Sequence, residues 1–181
     1  LEWLKENNLD QNTAVFLMGD NGFMFGEHGL IDKRNAYEES MRVPLIADIP
    51  GARRGHVVEE LVANLDIAPT ILEAASLPEP TSVNGTVQEP MAGTSLIYSL
   101  NDADAPERHT VQYFEMFGNR ALYQDGWFAR VLHRAPWQTG KQTPLQDDVW
   151  ELYNVKEDFS LVNNLADQYP ERVAAMEALF M

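Results

Sequence analysis

The sequence contains no cysteine among its 181 residues. That excludes disulfides, zinc–thiolate sites and a cysteine nucleophile within these residues, and leaves the redox compartment open. Cationic side chains are also scarce: 13 Lys and Arg stand against 28 Asp and Glu, a net charge of −15. Such a surface repels phosphate backbones and acidic headgroups, so neither nucleic acid nor a membrane surface is an expected partner. No apolar run approaches the roughly 20 residues that a bilayer span requires. The opening residues lack the basic, apolar and small-residue regions of a signal peptide, and Leu1 reads as an interior position of a longer chain. The compartment is undetermined, a periplasmic or secreted one being compatible. Internal repeats and low-complexity tracts are absent.

What is present suits a folded domain. Hydrophobic residues make up 45% of the chain, an ordinary share for a globular protein, and the length allows one domain or one domain with an appendage. Leu1, Leu4 and Leu9 suggest a short amphipathic helix closing near Asn7 and Asn8. Residues 13–18 form a continuous apolar run that stops at Gly19-Asp20-Asn21-Gly22, the pattern of a buried, parallel-type strand ending in a tight loop. In α/β folds ligands bind beyond the carboxyl ends of such strands, which is where Asp20 and Asn21 stand. A glycine-rich loop runs from Gly22 to Arg34, followed by a helical Tyr37-Glu38-Glu39-Ser40. Residues 43–49 predict a second buried strand, with Pro44 at its start or on an edge and Pro50-Gly51 as its stop.

Ile67, Ile71, Leu72 and Ala75 give a helical stripe with Asp66 as N-cap and Pro69 in the first turn. Residues 77–95 read as an irregular excursion, and the polar stretch 101–106 marks a boundary between residues 1–105 and a smaller unit, 106–181. Beyond it, residues 110–114, 121–123, 127–132 and 149–153 predict strands, with Gln124-Asp125-Gly126 as a turn. Pro170 and Glu171 open a terminal helix carrying Val173, Met176, Leu179 and Phe180 on one face.

Asp20-Asn21-Gly22 offers a carboxylate and an amide oxygen, the hard donors that Ca²⁺ or Mg²⁺ prefers. The same triplet is also ordinary turn chemistry, and its spacing is not that of an EF-hand loop. Arg34 is expected to pair with Glu38 or Glu39 at the surface. Trp127, Trp137 and Trp150 are expected as core or interface aromatics, and His109, Arg120 and His133 as structural groups rather than pocket linings.

The wider context narrows these alternatives. The run from Gly19-Asp20-Asn21-Gly22 through Phe25-Gly26-Glu27-His28-Gly29 and Asp32-Lys33-Arg34 to Tyr37-Glu38-Glu39-Ser40-Met41-Arg42-Val43-Pro44 closely resembles the metal- and sulfate-binding segment of the sulfatase family, within the alkaline-phosphatase-like superfamily. Leu65-Asp66-Ile67-Ala68-Pro69-Thr70-Ile71-Leu72 and Gly93-Thr94-Ser95-Leu96 resemble its following segments in register. Tyr113-Phe114-Glu115, Asp125-Gly126-Trp127, Trp150-Glu151-Leu152-Tyr153-Asn154 and Asn163-Asn164-Leu165-Ala166 resemble the C-terminal subdomain of arylsulfatase-like members. One departure is Gly19, where many members carry Ser or Thr.

The resemblance implies an α/β fold: the end of an alkaline-phosphatase-like mixed sheet flanked by helices, then a small C-terminal α+β subdomain with an antiparallel sheet. It implies that Asp20 and Asn21 are ligands of a divalent cation, Ca²⁺ or else Mg²⁺, and that Lys33 contacts the sulfate of a sulfate-ester substrate. His28, inside the same loop, either serves the substrate as donor or acid or makes a structural hydrogen bond. The family's nucleophile is a formylglycine made from Cys or Ser in Cys/Ser-x-Pro-x-Arg; Ser76-Leu77-Pro78-Glu79-Pro80 has Pro where Arg belongs. These residues are therefore read as the C-terminal part of a sulfatase, inactive alone, with the formylglycine in an upstream part and with that missing half, or self-association, as partner. The alternatives are a phosphonate or phosphodiester hydrolase of the same superfamily, or a non-catalytic metal-binding fragment.

Overall fold

In a computed structural model, residues 1–135, 137–140 and 143–181 are described. They form two compact units, and neither follows chain order alone. One comprises Leu1–Met18 with Leu45–His109, the other Gly19–Pro44 with Thr110–Met181. The polar stretch at 101–106 thus lies close to one junction, while the glycine-rich loop groups with the C-terminal residues.

The first unit begins with the short helix α1 (Glu2–Glu6). Strand β1 (Val15–Met18) pairs with β4 (Leu45–Asp48), from Val15 opposite Asp48 to Met18 opposite Leu45. The pairing is antiparallel, not the parallel arrangement the apolar run suggests. Neither strand is covered on both faces: Leu17 and Ile46, cross-strand partners, are 65% and 62% exposed. A run of apolar residues specifies a strand that prefers two covered faces, but the direction of its neighbour depends on which segment returns to it.

Helix α3 (Ile67–Ala74) occupies the helical stripe, yet Asp66 does not cap it. The Asp66 carboxylate, fully buried, instead accepts from the Ala63 N–H at 2.7 Å, the Thr94 N–H at 2.7 Å and His109 Nδ1 at 2.8 Å. Thr70 Oγ1 donates to the Asp66 carbonyl at 2.6 Å and accepts from the Leu96 N–H at 2.9 Å. Gly93 lies so near this site that a Cβ there would be 2.1 Å from the Leu65 carbonyl oxygen. The segments around Asp66 and Thr94 are therefore one hydrogen-bonded structure. Inside the stretch read as irregular, strands β5 (Ser82–Val83) and β6 (Thr86–Val87) make a hairpin. Its turn residues Asn84 and Gly85 have φ of 50° and 82°, the Asn-Gly signature of a two-residue turn.

The second unit is built on an antiparallel meander of β7 (Val111–Met116), β8 (Asn119–Gln124), β9 (Trp127–Val131) and β10 (Glu151–Asn154). Phe117-Gly118 and Asp125-Gly126 turn the first two corners, all four residues at positive φ. Alternation places successive side chains on opposite faces. One face carries Ala121, Phe128 and Tyr153, packed with Met24, Leu30 and Tyr37 from the Gly19–Pro44 segment. The other carries Leu122, Ala129, Val131, Trp150 and Leu152 against Met176 of α4 (Pro170–Phe180). Trp150 is buried as expected, whereas Trp137 is 54% exposed. Among the described residues no helix is long and apolar enough to cross a membrane.

Candidate active-site segment

The Gly19–Pro44 segment holds every residue singled out for chemistry. It contains two very short strands, β2 (Met24–Phe25) and β3 (Ile31–Asp32), which pair antiparallel, and the single-turn helix α2 (Glu38–Met41). Met24 and Leu30, fully and nearly buried, fix the segment onto the sheet face while Phe25, Gly26 and Gly29 stay exposed. Gly22 sets how closely the metal-type triplet approaches α2. Its N–H donates to the Ser40 carbonyl at 2.9 Å, and a Cβ there would stand 2.1 Å from the Glu39 carbonyl oxygen.

Lys33 and Asn21 are brought together across the mini-sheet: Lys33 Nζ donates to Asn21 Oδ1 at 2.7 Å. The Asn21 N–H donates to Asp20 Oδ1 at 2.9 Å, and Asn21 Nδ2 to the Gly22 carbonyl at 2.7 Å. A carboxylate, an amide oxygen and an ammonium thus share one hydrogen-bonded corner. Asp20 and Asn21 suit a hard divalent cation in chemistry, because both offer oxygen donors. In number they are a partial set, and among the described residues no group of three or more His, Cys, Asp or Glu is arranged to hold a metal.

His28 sits at φ 56°, in the left-handed region, between Glu27 and Gly29. Its Nε2 lies 3.1 Å from Glu39 Oε2, and its ring stacks on Tyr37 with centroids 3.8 Å apart. The guanidinium carbon of Arg130 is 3.9 Å from the same Tyr37 centroid. Two groups that close to one ring must occupy its two faces, so Tyr37 is a plate between a loop imidazole and a core guanidinium. Arg130, buried, also donates to the Tyr37 hydroxyl at 2.8 Å and to Glu151 Oε2 at 2.7 Å. Tyr153 donates to the same carboxylate oxygen at 3.0 Å. Burial, with the Glu151 carboxylate beside it, pushes the Tyr153 phenol up to about 12, against the opposing pull of Arg130.

Arg34 does not pair with Glu38 or Glu39. It pairs with Asp32 at 3.1 Å, while Glu38 goes to Arg42 at 3.5 Å and Glu39 to His28. Local geometry decides this: at helix spacing i,i+4, Arg42 reaches Glu38, and Asp32, at the end of β3, is only two residues from Arg34. Burial raises the Glu38 carboxyl above its usual range, with Arg42 partly offsetting the effect. Farther along the sheet, Asp148 binds both Arg120 at 2.7 Å and His133 at 3.0 Å, all three largely buried. His109, likewise, is spent on Asp66. Tyr37, Arg130 and Asn119, whose Nδ2 donates to the Arg34 carbonyl at 2.8 Å, were not legible as site supports. Alternation marks the strands of Arg130 and Asn119 but says nothing about which polar side chain crosses to the loop, and Tyr37, just before α2, shows no local sign of the partners on its two faces.

The sequence pattern of the N-sulphoglucosamine sulphohydrolase C-terminal family matches residues 26–179. An N-acetylglucosamine-6-O-sulfatase of Bacteroides thetaiotaomicron is 29% identical over 168 residues, covering 91% of this chain and 28% of that protein. Arylsulfatase K of Danio rerio is 27% identical over 173 residues, covering 93% of this chain and 30% of that protein. A solved structure in complex with its substrate, D-glucosamine-2-N,6-O-disulfate, superposes with a TM-score of 0.74 at 26% identity, covering 99% of this chain and 35% of that one. The chain therefore spans roughly a third of the length of these relatives. By a family pattern that runs from Gly26 across Lys33, the four-stranded sheet and nearly all of the terminal helix, the chain belongs to the N-sulphoglucosamine sulphohydrolase C-terminal family and is the C-terminal portion of a sulfatase.

Proposed function

We propose that these residues supply one part of the active site of an enzyme that hydrolyses sulfate esters on amino sugars. The observation that carries this reading is the Lys33–Asn21 contact, 2.7 Å long, on a loop held against α2 by Gly22. The sulfatase relatives add weight, and two of them name a glucosamine derivative as what they act on or bind. Asp20 and Asn21 would hold a divalent cation, Ca²⁺ or Mg²⁺, which when bound supplies positive charge against the sulfuryl oxygens. Lys33 offsets negative charge that builds on those oxygens and on the departing alcohol oxygen. His28 is assigned to the substrate side of the same loop, its ring oriented by Glu39 and Tyr37. The formylglycine nucleophile and the remaining cation ligands belong, on this reading, to chain outside these residues, and the domain division near residue 105 to the architecture of the whole enzyme.

Two further features support the need for more chain or a ligand. Asn35 is buried, yet neither of its side-chain polar atoms has a partner among the described residues. A buried amide left unpaired costs on the order of 1–3 kcal/mol, so a partner is expected in the complete enzyme. Separately, the first unit exposes the apolar pair Leu17 and Ile46 on paired strands. The test is the full-length enzyme with 6-O-sulfated glucosamine, read for sulfate release, and calorimetry with Ca²⁺. Asp20→Ala should abolish release and weaken Ca²⁺ binding together. Sulfate release and Ca²⁺ affinity that both survive this substitution would remove Asp20 from the site.

A further inference from the structure

In an acidic chain, two arginines converge on one exposed aromatic ring. The guanidinium carbons of Arg34 and Arg134 lie 5.7 and 5.8 Å from the centroid of Phe117, which is 58% exposed. These residues come from three separate segments: the loop beside Lys33, the stretch after β9, and the β7–β8 turn. A buried side chain holds two of them together. Asn119, 5% exposed, donates from Nδ2 to the Arg34 carbonyl at 2.8 Å. Its Oδ1 accepts from the backbone N–H of His133 at 2.9 Å and of Arg134 at 3.1 Å. The third corner is equally constrained. Gly118, at φ +88°, packs on His133 so closely that a Cβ would stand 2.6 Å from the imidazole.

From this arrangement we propose a second anion subsite, Arg34 and Arg134 over Phe117, that takes another acidic group of the sugar chain whose sulfate ester is hydrolysed. It rests on the reading of the Lys33 loop as the reacting site, since Arg34 is the next residue after Lys33. The group bound is a sulfate or carboxylate on the same or a neighbouring sugar. A guanidinium on an aromatic face keeps its N–H edges available for bidentate bonding to such oxygens. Arg34 is partly neutralised by Asp32 at 3.1 Å, but among the described residues no carboxylate pairs with Arg134. Both positive charges are held beside one ring, so each attracts an anion that docks there. The Asn119 bracket lowers the ordering cost of binding, because both backbones are already in place.

The experiment uses the full-length enzyme and three probes: a glucosamine carrying one sulfate ester, its disulfated counterpart, and the singly sulfated sugar linked to a uronic acid. For Arg134→Ala and the double variant Arg34→Ala/Arg134→Ala, the ratio of kcat/KM on a dianionic probe to that on the monosulfated probe should fall roughly tenfold or more, mainly through KM. Whichever dianionic probe carries the loss identifies the group as sulfate or carboxylate. Arg134→Lys should recover only part of the ratio, since an ammonium lacks the planar fork. An unchanged ratio, or an equal fall on all probes, overturns the subsite. Affinity for the same three probes is measured in parallel by calorimetry. If the enzyme releases no sulfate, the function reading fails, while the subsite stands or falls on whether Arg134→Ala selectively weakens binding of a dianionic probe. Phe117→Leu, with melting temperature recorded, separates loss of the ring platform from unfolding.

Discussion

Lys33 and Asn21 are 12 residues apart in the chain, and the Lys33 ammonium donates to the Asn21 amide oxygen at 2.7 Å. The contact turns a flexible, exposed lysine into a positioned charge beside two oxygen donors. Removing it should affect chemistry and leave folding almost untouched. In the full-length enzyme, Lys33→Ala is expected to lower kcat about 10²–10³-fold, with a melting temperature close to that of the parent. Activity and melting temperature falling in proportion would make Lys33 a structural residue.

Gly22 tests whether the loop's placement is steric. An alanine Cβ would meet the Glu39 carbonyl oxygen at 2.1 Å, with backbone on both sides of the clash. Neither side can yield like a flexible side chain, so Gly22→Ala should cost on the order of 2–3 kcal/mol. Denaturant unfolding measures this directly. Loss of less than half a kcal/mol would show that the loop relaxes freely.

Asp66 has three donors on one fully buried carboxylate. Asp66→Ala strands two backbone N–H groups and the His109 imidazole, and is expected to destabilise by about 3–5 kcal/mol. Asp66→Asn retains an acceptor oxygen and should lose clearly less. Equal losses for both substitutions would mean that the charge, not the acceptor geometry, matters.

Tyr153 gives a pH signature. Its phenol titrates at about 12 in the fold, against about 10 for an exposed tyrosine. Between those values the unfolded chain releases a proton that the native state keeps. Stability from this group is therefore complete below pH ~10 and declines as pH rises toward ~12. Melting temperatures from pH 9 to 11.5 should fall more steeply for the parent than for Tyr153→Phe. Parallel slopes would place the titrating group elsewhere.

These residues expressed alone should release no sulfate from a sulfated glucosamine and should self-associate. The motive for the second expectation is the exposed apolar pair Leu17 and Ile46 on neighbouring strands. Sedimentation across a dilution series, with a hydrophobic dye as second readout, decides it. A monomer that binds no dye would show the surface to be harmless.

The strands of the meander were legible because their alternation and the Asp125-Gly126 turn are local signals. So was the terminal helix, from Pro170 and from Val173, Met176 and Phe180, which pack on the sheet; Leu179, read on the same face, is 50% exposed. The β5–β6 hairpin was missed although Asn84-Gly85 announced it, because strands of two residues are too short to show a period. Asp66 was legible as a helix-start residue but not as the acceptor for Thr94 and His109, which lie 28 and 43 residues away. Distant partners of a buried carboxylate leave no mark in the residues beside it.

The identities, order and spacing of Asp20, Asn21, His28 and Lys33 were written in the chain, and they carried the resemblance from which their proposed roles follow. Only tertiary structure decided that β1 meets β4 antiparallel, that the 19–44 segment packs on the far C-terminal sheet, and that Tyr37 lies between His28 and Arg130. The reason is physical. Backbone propensity and apolar periodicity act over a few residues, whereas the partner of a buried charge is chosen by what else must leave water at the same place.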